Sequence, residues 1–225
     1  MDNNIVKESY RQAVVDAGRK LLGSGLTIET WGNISVRDPE TSLIYITPSG
    51  MPYDVLKPDD IVVCSPDGSV FEGRRVPSVE TGLHAGIYSA RKDVNAVLHT
   101  HPVSSMVFSV LRKDIPVVTD EIAQAIGSTV RCAEYALPGS RELSRNCLEA
   151  LGSSQACLLA NHGAVCVGAT LKECFKVAEV LEAGAEVYYR ALAVGTPVVE
   201  DDRDVAWMRD FAINKYGRAN KGDGE

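Results

Sequence analysis

A three-layer α/β fold, with a central and mainly antiparallel β-sheet covered by helices on both faces, is the architecture this sequence predicts. Helical and extended patterns interleave from end to end, and short extended runs meet at tight turns. No repeat or low-complexity linker divides the chain, so residues 1–225 read as one domain. The 225 residues are 45% hydrophobic and 24% charged, which is enough apolar material for a sizeable core. Strand order does not follow from this pattern.

In order, residues 5–22 carry Ile5, Val6, Tyr10, Val14, Ala17, Leu21 and Leu22 at helical spacing, closed by Gly23 and Gly25. "TWGNISVRD" places a turn at Gly32 and Asn33 before a short strand. "SLIYITPSG" is a β-branched strand ending in a turn, and "DIVVCSPDGSVFEG" reads as strand, Asp-Gly turn, strand. The spacing of Val79, Leu83, Ile87 and Ala90 predicts a helix over 78–92, with Ser78 as N-cap. A strand over 94–101 and a helix over 103–111 follow, then extended segments at 115–119 and 129–133. Residues 140–151 read as a helix. "ACLLANHGAVCVG" reads as two strands joined at Asn161-His162-Gly163, 171–194 as the longest helix, and 204–214 as another. The terminal "NKGDGE" is expected to fray.

Charge narrows the function classes. The net charge is −7 and no basic cluster occurs, which argues against a nucleic-acid or membrane-surface partner. The N-terminus lacks a positive start followed by an apolar run, and no stretch approaches roughly 18 uninterrupted apolar residues. The expectation is a cytoplasmic protein. Six scattered cysteines without a C-x-x-C pair fit that compartment as buried, reduced thiols.

The chain has four histidines, and two of them end one strand in "NAVLHTHPVS". Side chains alternate along a strand, so His99 and His101 project to one face, roughly 6–7 Å apart at Cα. His162 sits at another strand end, before Gly163. Three neutral imidazoles with one open position are the usual build of a catalytic Zn²⁺ site, although a lone H-x-H is a weak motif. Glu80 precedes this strand and is a candidate metal ligand or acid/base; pairing with a helix N-terminus is its plainer reading. His84 lies four residues after Glu80 on the same helix face and reads as a satisfied core histidine or one that supports a ligand. The loops "TWGN", "TPSG" and "RVPS" offer hydroxyls, amides and backbone N–H groups that can cradle a phosphate, or serve as ordinary turns.

Taken together, "TWGNIS", "ITPSG", "PSVETGLH", "VLHTHP" and "LLANHGAVCVG" resemble the class II aldolase/adducin family over nearly the whole chain, most nearly its L-fuculose-1-phosphate aldolase branch. The resemblance implies Zn²⁺ held by His99, His101 and His162, one ion per subunit, with Mn²⁺ and Co²⁺ as alternatives. It makes Glu80 a catalytic acid/base that also touches the metal. It places Thr30, Gly32, Asn33, Ser49, Gly50 and Ser78 around the phosphate of a sugar substrate. It also implies a homotetramer with active sites at subunit interfaces. The activity expected is retro-aldol cleavage of a ketose 1-phosphate to dihydroxyacetone phosphate and a small aldehyde.

Three positions depart from the fuculose pattern. Val79 replaces a serine, Asp120 stands where a tyrosine reaches a neighbour's site, and Pro138 replaces an aromatic residue. The metal half therefore matches and the aldehyde half does not. Asp120, with Glu121 beside it, becomes the candidate second catalytic residue. The same fold also hosts sugar-phosphate dehydratases, decarboxylases and 4-epimerases, and non-enzymatic adducin-like modules. The three histidines and Glu80 argue against the last.

Overall fold

The computed structural model describes residues 5–216, so the expected fraying of "NKGDGE" lies outside the described residues. Eight strands form one sheet. They are β1 (Asn33–Arg37), β2 (Ile44–Ile46), β3 (Val62–Cys64), β4 (Val70–Glu72), β5 (Ala96–Thr100), β6 (Cys132–Ala133), β7 (Ala156–Leu159) and β8 (Gly163–Gly168), in spatial order β4-β3-β2-β1-β5-β8-β7-β6. Every pairing is antiparallel except β6 with β7.

The central strands β1, β2, β5, β7 and β8 are buried along their whole length. Both faces must therefore be covered, which explains their continuous apolar runs. One face packs against α2 (Thr81–Ala90) and α5 (Arg141–Leu151) through Leu83, Ile87, Leu143, Leu151, Val97 and Val165. The other packs against α1 (Glu8–Gly23), α3 (Val103–Leu111), α4 (Asp120–Ala125), α6 (Leu171–Val194) and α7 (Asp202–Asn214), around Leu21, Leu98, Phe108, Ile122 and Leu181. This is the three-layer arrangement expected. No helix among the described residues is long and apolar enough to cross a membrane.

Local boundaries differ where tertiary contacts outweigh sequence pattern. The expected extended segment 115–119 is reduced to a bridge between Ile115 and Val130, and residues 120–125 coil into α4, whose N-cap Thr119 accepts the Ile122 N–H. The second helix begins at Thr81 with Glu80 at the cap position. Ser78, expected as N-cap, instead accepts the Glu80 backbone N–H in the preceding turn, at 3.3 Å. Helix α6 matches residues 171–194, and Ser140 and Thr170 cap α5 and α6 through their hydroxyls. Five of the six cysteines are buried and all six are free thiols.

Candidate metal centre

The site forms where β5 runs between β1 and β8. Strand register sets Asn33 opposite His99 and Thr100 opposite Ala164. The chain leaves β5 at His101, whose backbone N–H donates to Leu26 O at 3.0 Å. Helix α3 starts just after Pro102. Its first-turn N–H groups on Ser104 and Ser105 donate to the two carboxylate oxygens of Glu182 on α6, at 2.7 and 2.8 Å, an acidic cap that suits a helix N-terminus. His162 enters from the β7–β8 turn, made by Asn161 at φ 55° and tied to α3 by His162 N–H donating to Ser109 Oγ at 3.2 Å.

Two glycines permit this crowding. A Cβ on Gly32, which has φ 82°, would stand 2.5 Å from the His99 carbonyl oxygen. A Cβ on Gly163 would collide with the Thr100 carbonyl oxygen and press on the rings of His99 and His101.

The three rings meet edge-on, with centroids 4.7 to 5.1 Å apart. His99 Nδ1–H donates to Ala164 O at 3.0 Å, so its Nε2 faces inward with a lone pair when the ring is neutral. His101 Nε2 lies 3.0 Å from His99 Nε2. The Glu80 carboxylate closes the cluster, with Oε2 3.2 Å from His99 Nε2 and Oε1 3.6 Å from His162 Nε2. One ligand atom from each of the three histidines lies within 4.8 Å of the others. Glu80 Oε1 is buried and has no hydrogen-bond partner among the described residues. Inward lone pairs beside an orphaned carboxylate oxygen are mutually repulsive unless a cation sits among them, so these residues fit a divalent ion.

Electrostatics agree. Burial, with the neighbouring imidazoles, pushes His101 down to about 3 and His162 down to about 4. Both rings are thus neutral ligands at pH 7. Burial raises the Glu80 carboxyl, but the facing His99, the Asn33 amide and His162 outweigh it and hold the group below its usual range.

The expected phosphate loops converge. Ser49 N–H donates to Val76 O at 2.9 Å, Ser78 N–H to Thr47 O at 3.1 Å, and Thr47 N–H to Ile34 O at 3.0 Å. These bonds zip residues 47–50 to 75–78 at the end of β1. Ser49 and Gly50 are exposed there, and Thr30 is half-buried. Asn33 behaves differently from the other expected phosphate contacts: its Nδ2 donates to Glu80 Oε2 at 2.8 Å and its Oδ1 faces His84 Nε2 at 2.5 Å. Both amide atoms are engaged inside the protein. Asp120 and Glu121 lie exposed in the first turn of α4 and make no hydrogen bond or ion pair to Glu80 or to the three histidines of the same chain.

Sequence reasoning missed Ser35, Tyr88 and Trp31. Ser35 Oγ lies 2.6 Å from His84 Nδ1 and 2.7 Å from Tyr88 OH, all buried. The signal was present: 33 and 35 share a strand face, and 80, 84 and 88 share a helix face. Trp31, 58% exposed, stacks alongside His101 with centroids 6.2 Å apart.

Comparison with known proteins places this site in context. The family profile described as Class II Aldolase and Adducin N-terminal domain matches residues 12–189. The chain is 40% identical over 190 residues to a 5-deoxy-D-ribulose 1-phosphate aldolase of Bacillus thuringiensis serovar kurstaki, covering 84% of this chain and 89% of that protein. It is 41% identical over 191 residues to a 5-methylthioribulose-1-phosphate/5-deoxyribulose-1-phosphate aldolase of Rhodospirillum rubrum, covering 85% of each. A solved L-fuculose 1-phosphate aldolase superposes with a TM-score of 0.88 at 38% identity, covering 91% of this chain and 96% of that one.

Proposed function

The chain belongs to the class II aldolase and adducin N-terminal domain family, and from that premise we propose that it is a Zn²⁺-dependent aldolase that reversibly cleaves a ketose 1-phosphate to dihydroxyacetone phosphate and a small aldehyde. The observation that carries this reading is the convergence of His99, His101, His162 and Glu80 on one point at the end of β5. The reading takes residues 1–225 as one domain, supported by the single eight-stranded sheet.

His99, His101 and His162 hold the ion, with Glu80 as a further ligand. When bound, the ion supplies a Lewis acid that polarises the ketose oxygens and offsets the negative charge that cleavage develops. In the reaction a base takes the proton of the C4 hydroxyl and the C3–C4 bond breaks as the C4 carbonyl forms. A proton delivered to C3 then completes dihydroxyacetone phosphate. Glu80 is the group placed to carry a proton. It is ionised at neutral pH, buried, and held by the Asn33 amide.

The loops around Thr30, Gly32, Ser49, Gly50 and Ser78 cradle the phosphate, with Asn33, whose amide is taken by Glu80 and His84, set behind them. Because Ser49 and Ser78 spend their backbone N–H groups internally, their hydroxyls are the groups left to donate. The active form is a homotetramer in which Asp120 reaches a neighbour's site. Of the apolar residues on α6, Phe175 and Leu181 serve the core while Val187 and Leu192 are each 50% exposed and free to pack between subunits.

The test is product release from metal-loaded protein offered L-fuculose 1-phosphate, 5-deoxyribulose 1-phosphate and 5-methylthioribulose 1-phosphate. Dihydroxyacetone phosphate from at least one supports the reading. Its absence from all three, with turnover of a different kind, favours a dehydratase, decarboxylase or epimerase of the same fold.

A further inference from the structure

Five buried polar side chains form one unbroken chain that starts at Glu80, and its members alternate between helix and strand. Glu80 on the α2 cap meets Asn33 on β1. Asn33 meets His84 on α2, His84 meets Ser35 on β1, and Ser35 meets Tyr88 on α2. The spacings are those of the two elements: 80, 84 and 88 stack on one helix face, and 33 and 35 share one strand face. All five residues are at most 5% exposed.

Donor and acceptor roles along the chain are fixed by its first member. An ionised carboxylate only accepts, so Asn33 must present its NH₂ to Glu80 and its carbonyl oxygen to His84. That oxygen also only accepts, so His84 must carry its proton on Nε2. The neutral ring then has an accepting Nδ1, which takes the Ser35 hydroxyl proton, and Ser35 Oγ in turn takes that of Tyr88. Every donor in the series points toward Glu80. A series of buried polar groups is costly where apolar packing would serve stability equally well. A role in setting the geometry of Glu80 gives these residues a reason to be polar.

We infer that His84 is a positioning residue: through its Nε2–H tautomer, whose bare Nδ1 Ser35 and Tyr88 can satisfy, it holds the Asn33 amide with its NH₂ toward Glu80 and so fixes the carboxylate that works at the metal centre. With the opposite tautomer the Asn33 amide turns over and sets a carbonyl oxygen against the carboxylate. This inference rests on the reading of Glu80 as the proton carrier.

Two substitutions separate a positioning role from simple core filling. A glutamine amide reaches the place of imidazole Nε2 and can still donate to Asn33, whereas the shorter asparagine reaches only the place of Nδ1. His84→Asn should lower kcat about 10- to 100-fold, the usual cost of losing a group that orients a metal-site residue, with KM and bound metal little changed. His84→Gln should stay within about fivefold of wild type. In combination with Asn33→Ala, His84→Asn should add little further loss, because the two act in series. Independently of activity, nitrogen-15 NMR of histidine-labelled protein, with the His84 signal assigned by its loss in His84→Gln, should show Nε2 protonated and Nδ1 bare. That measurement stands even if His84→Asn fails to fold. An Nδ1–H tautomer, or equal kcat for the Asn and Gln variants, would overturn the inference. If Glu80→Gln is itself fully active, the reading of Glu80 fails instead, and the tautomer result is unaffected.

Discussion

Glu80 Oε2 stands 3.2 Å from His99 Nε2, and both side chains are at most 4% exposed. His99 donates its other ring nitrogen to a backbone carbonyl, so in the neutral ring this approach sets two acceptors face to face. A proton or a metal ion between them turns the repulsion into attraction. The relationship therefore joins the metal-binding role proposed for the strand end to the proton-carrying role proposed for Glu80 at the helix cap.

Replacing Glu80 by glutamine keeps the shape but removes both the charge and the proton-carrying function. Glu80→Gln should retain the fold and lower kcat by about 10²–10⁴. Steady-state kinetics check this, with circular dichroism as the control for folding. Activity within about threefold of wild type would reassign Glu80 to capping α2.

The buried histidines make the metal-free protein sensitive to acid. His84 and His101 are pushed down to about 3 and His162 to about 4, each from 6.5. Each is a base that the fold keeps neutral, so the unfolded chain takes up protons first as pH falls. As far as the histidines are concerned, stability should be flat between about pH 7 and 8, then decline below about pH 6.5 with a slope of up to about 1.4 kcal/mol per pH unit per histidine. Urea unfolding at pH 7.5, 6 and 5 measures it. His84→Gln should make the slope shallower by close to one proton, and a pH-independent stability would contradict the account.

Gly163 leaves no room for a Cβ, which would collide with the Thr100 carbonyl oxygen and crowd the His99 and His101 rings. Gly163→Ala should destabilise the protein by about 1–3 kcal/mol through overpacking. It should also weaken metal binding, because relief requires β8 to move away from β5. Thermal unfolding with and without metal reads both effects. An alanine variant with wild-type stability and metal affinity would show that the two strands have room to spare.

Asp120 lies exposed at the start of α4, and its proposed role is in a neighbouring subunit's site. A carboxylate accepts hydrogen bonds and donates none when ionised. Asp120→Asn should therefore change the ranking of kcat/KM among ketose 1-phosphates more than it slows all of them. A uniform loss of about 10³ would make Asp120 a proton donor instead. No change would shift attention to Glu121.

The convergence of the three histidines was legible in part: alternation along β5 puts His99 and His101 on one face, while the weak H-x-H motif gained its third member, His162, from the ordered set of motifs shared with the family. The layers were legible because the apolar runs are long and the helix caps explicit, as Ser140 and Thr170 show. What sequence concealed depends on distant pairing. Asn33 reads as a loop amide until β1 is set against β5 and α2, when both its polar atoms prove to be taken. Residues 115–119 misled for a related reason. Their β-branched pattern suggests extension, but only Ile115 pairs, with Val130, and Thr119 caps the helical turn that follows, where Ile122 packs against Gly184 of α6, so tertiary contact outweighs propensity.

The most direct test of the metal centre is a titration of metal-stripped protein with Zn²⁺ that follows bound metal and dihydroxyacetone phosphate release together. Both should rise in step and saturate at about one ion per chain, and His162→Ala should flatten both curves. Full activity before any metal is added, or metal uptake that saturates without restoring cleavage, would contradict the assignment of His99, His101, His162 and Glu80 as the working centre.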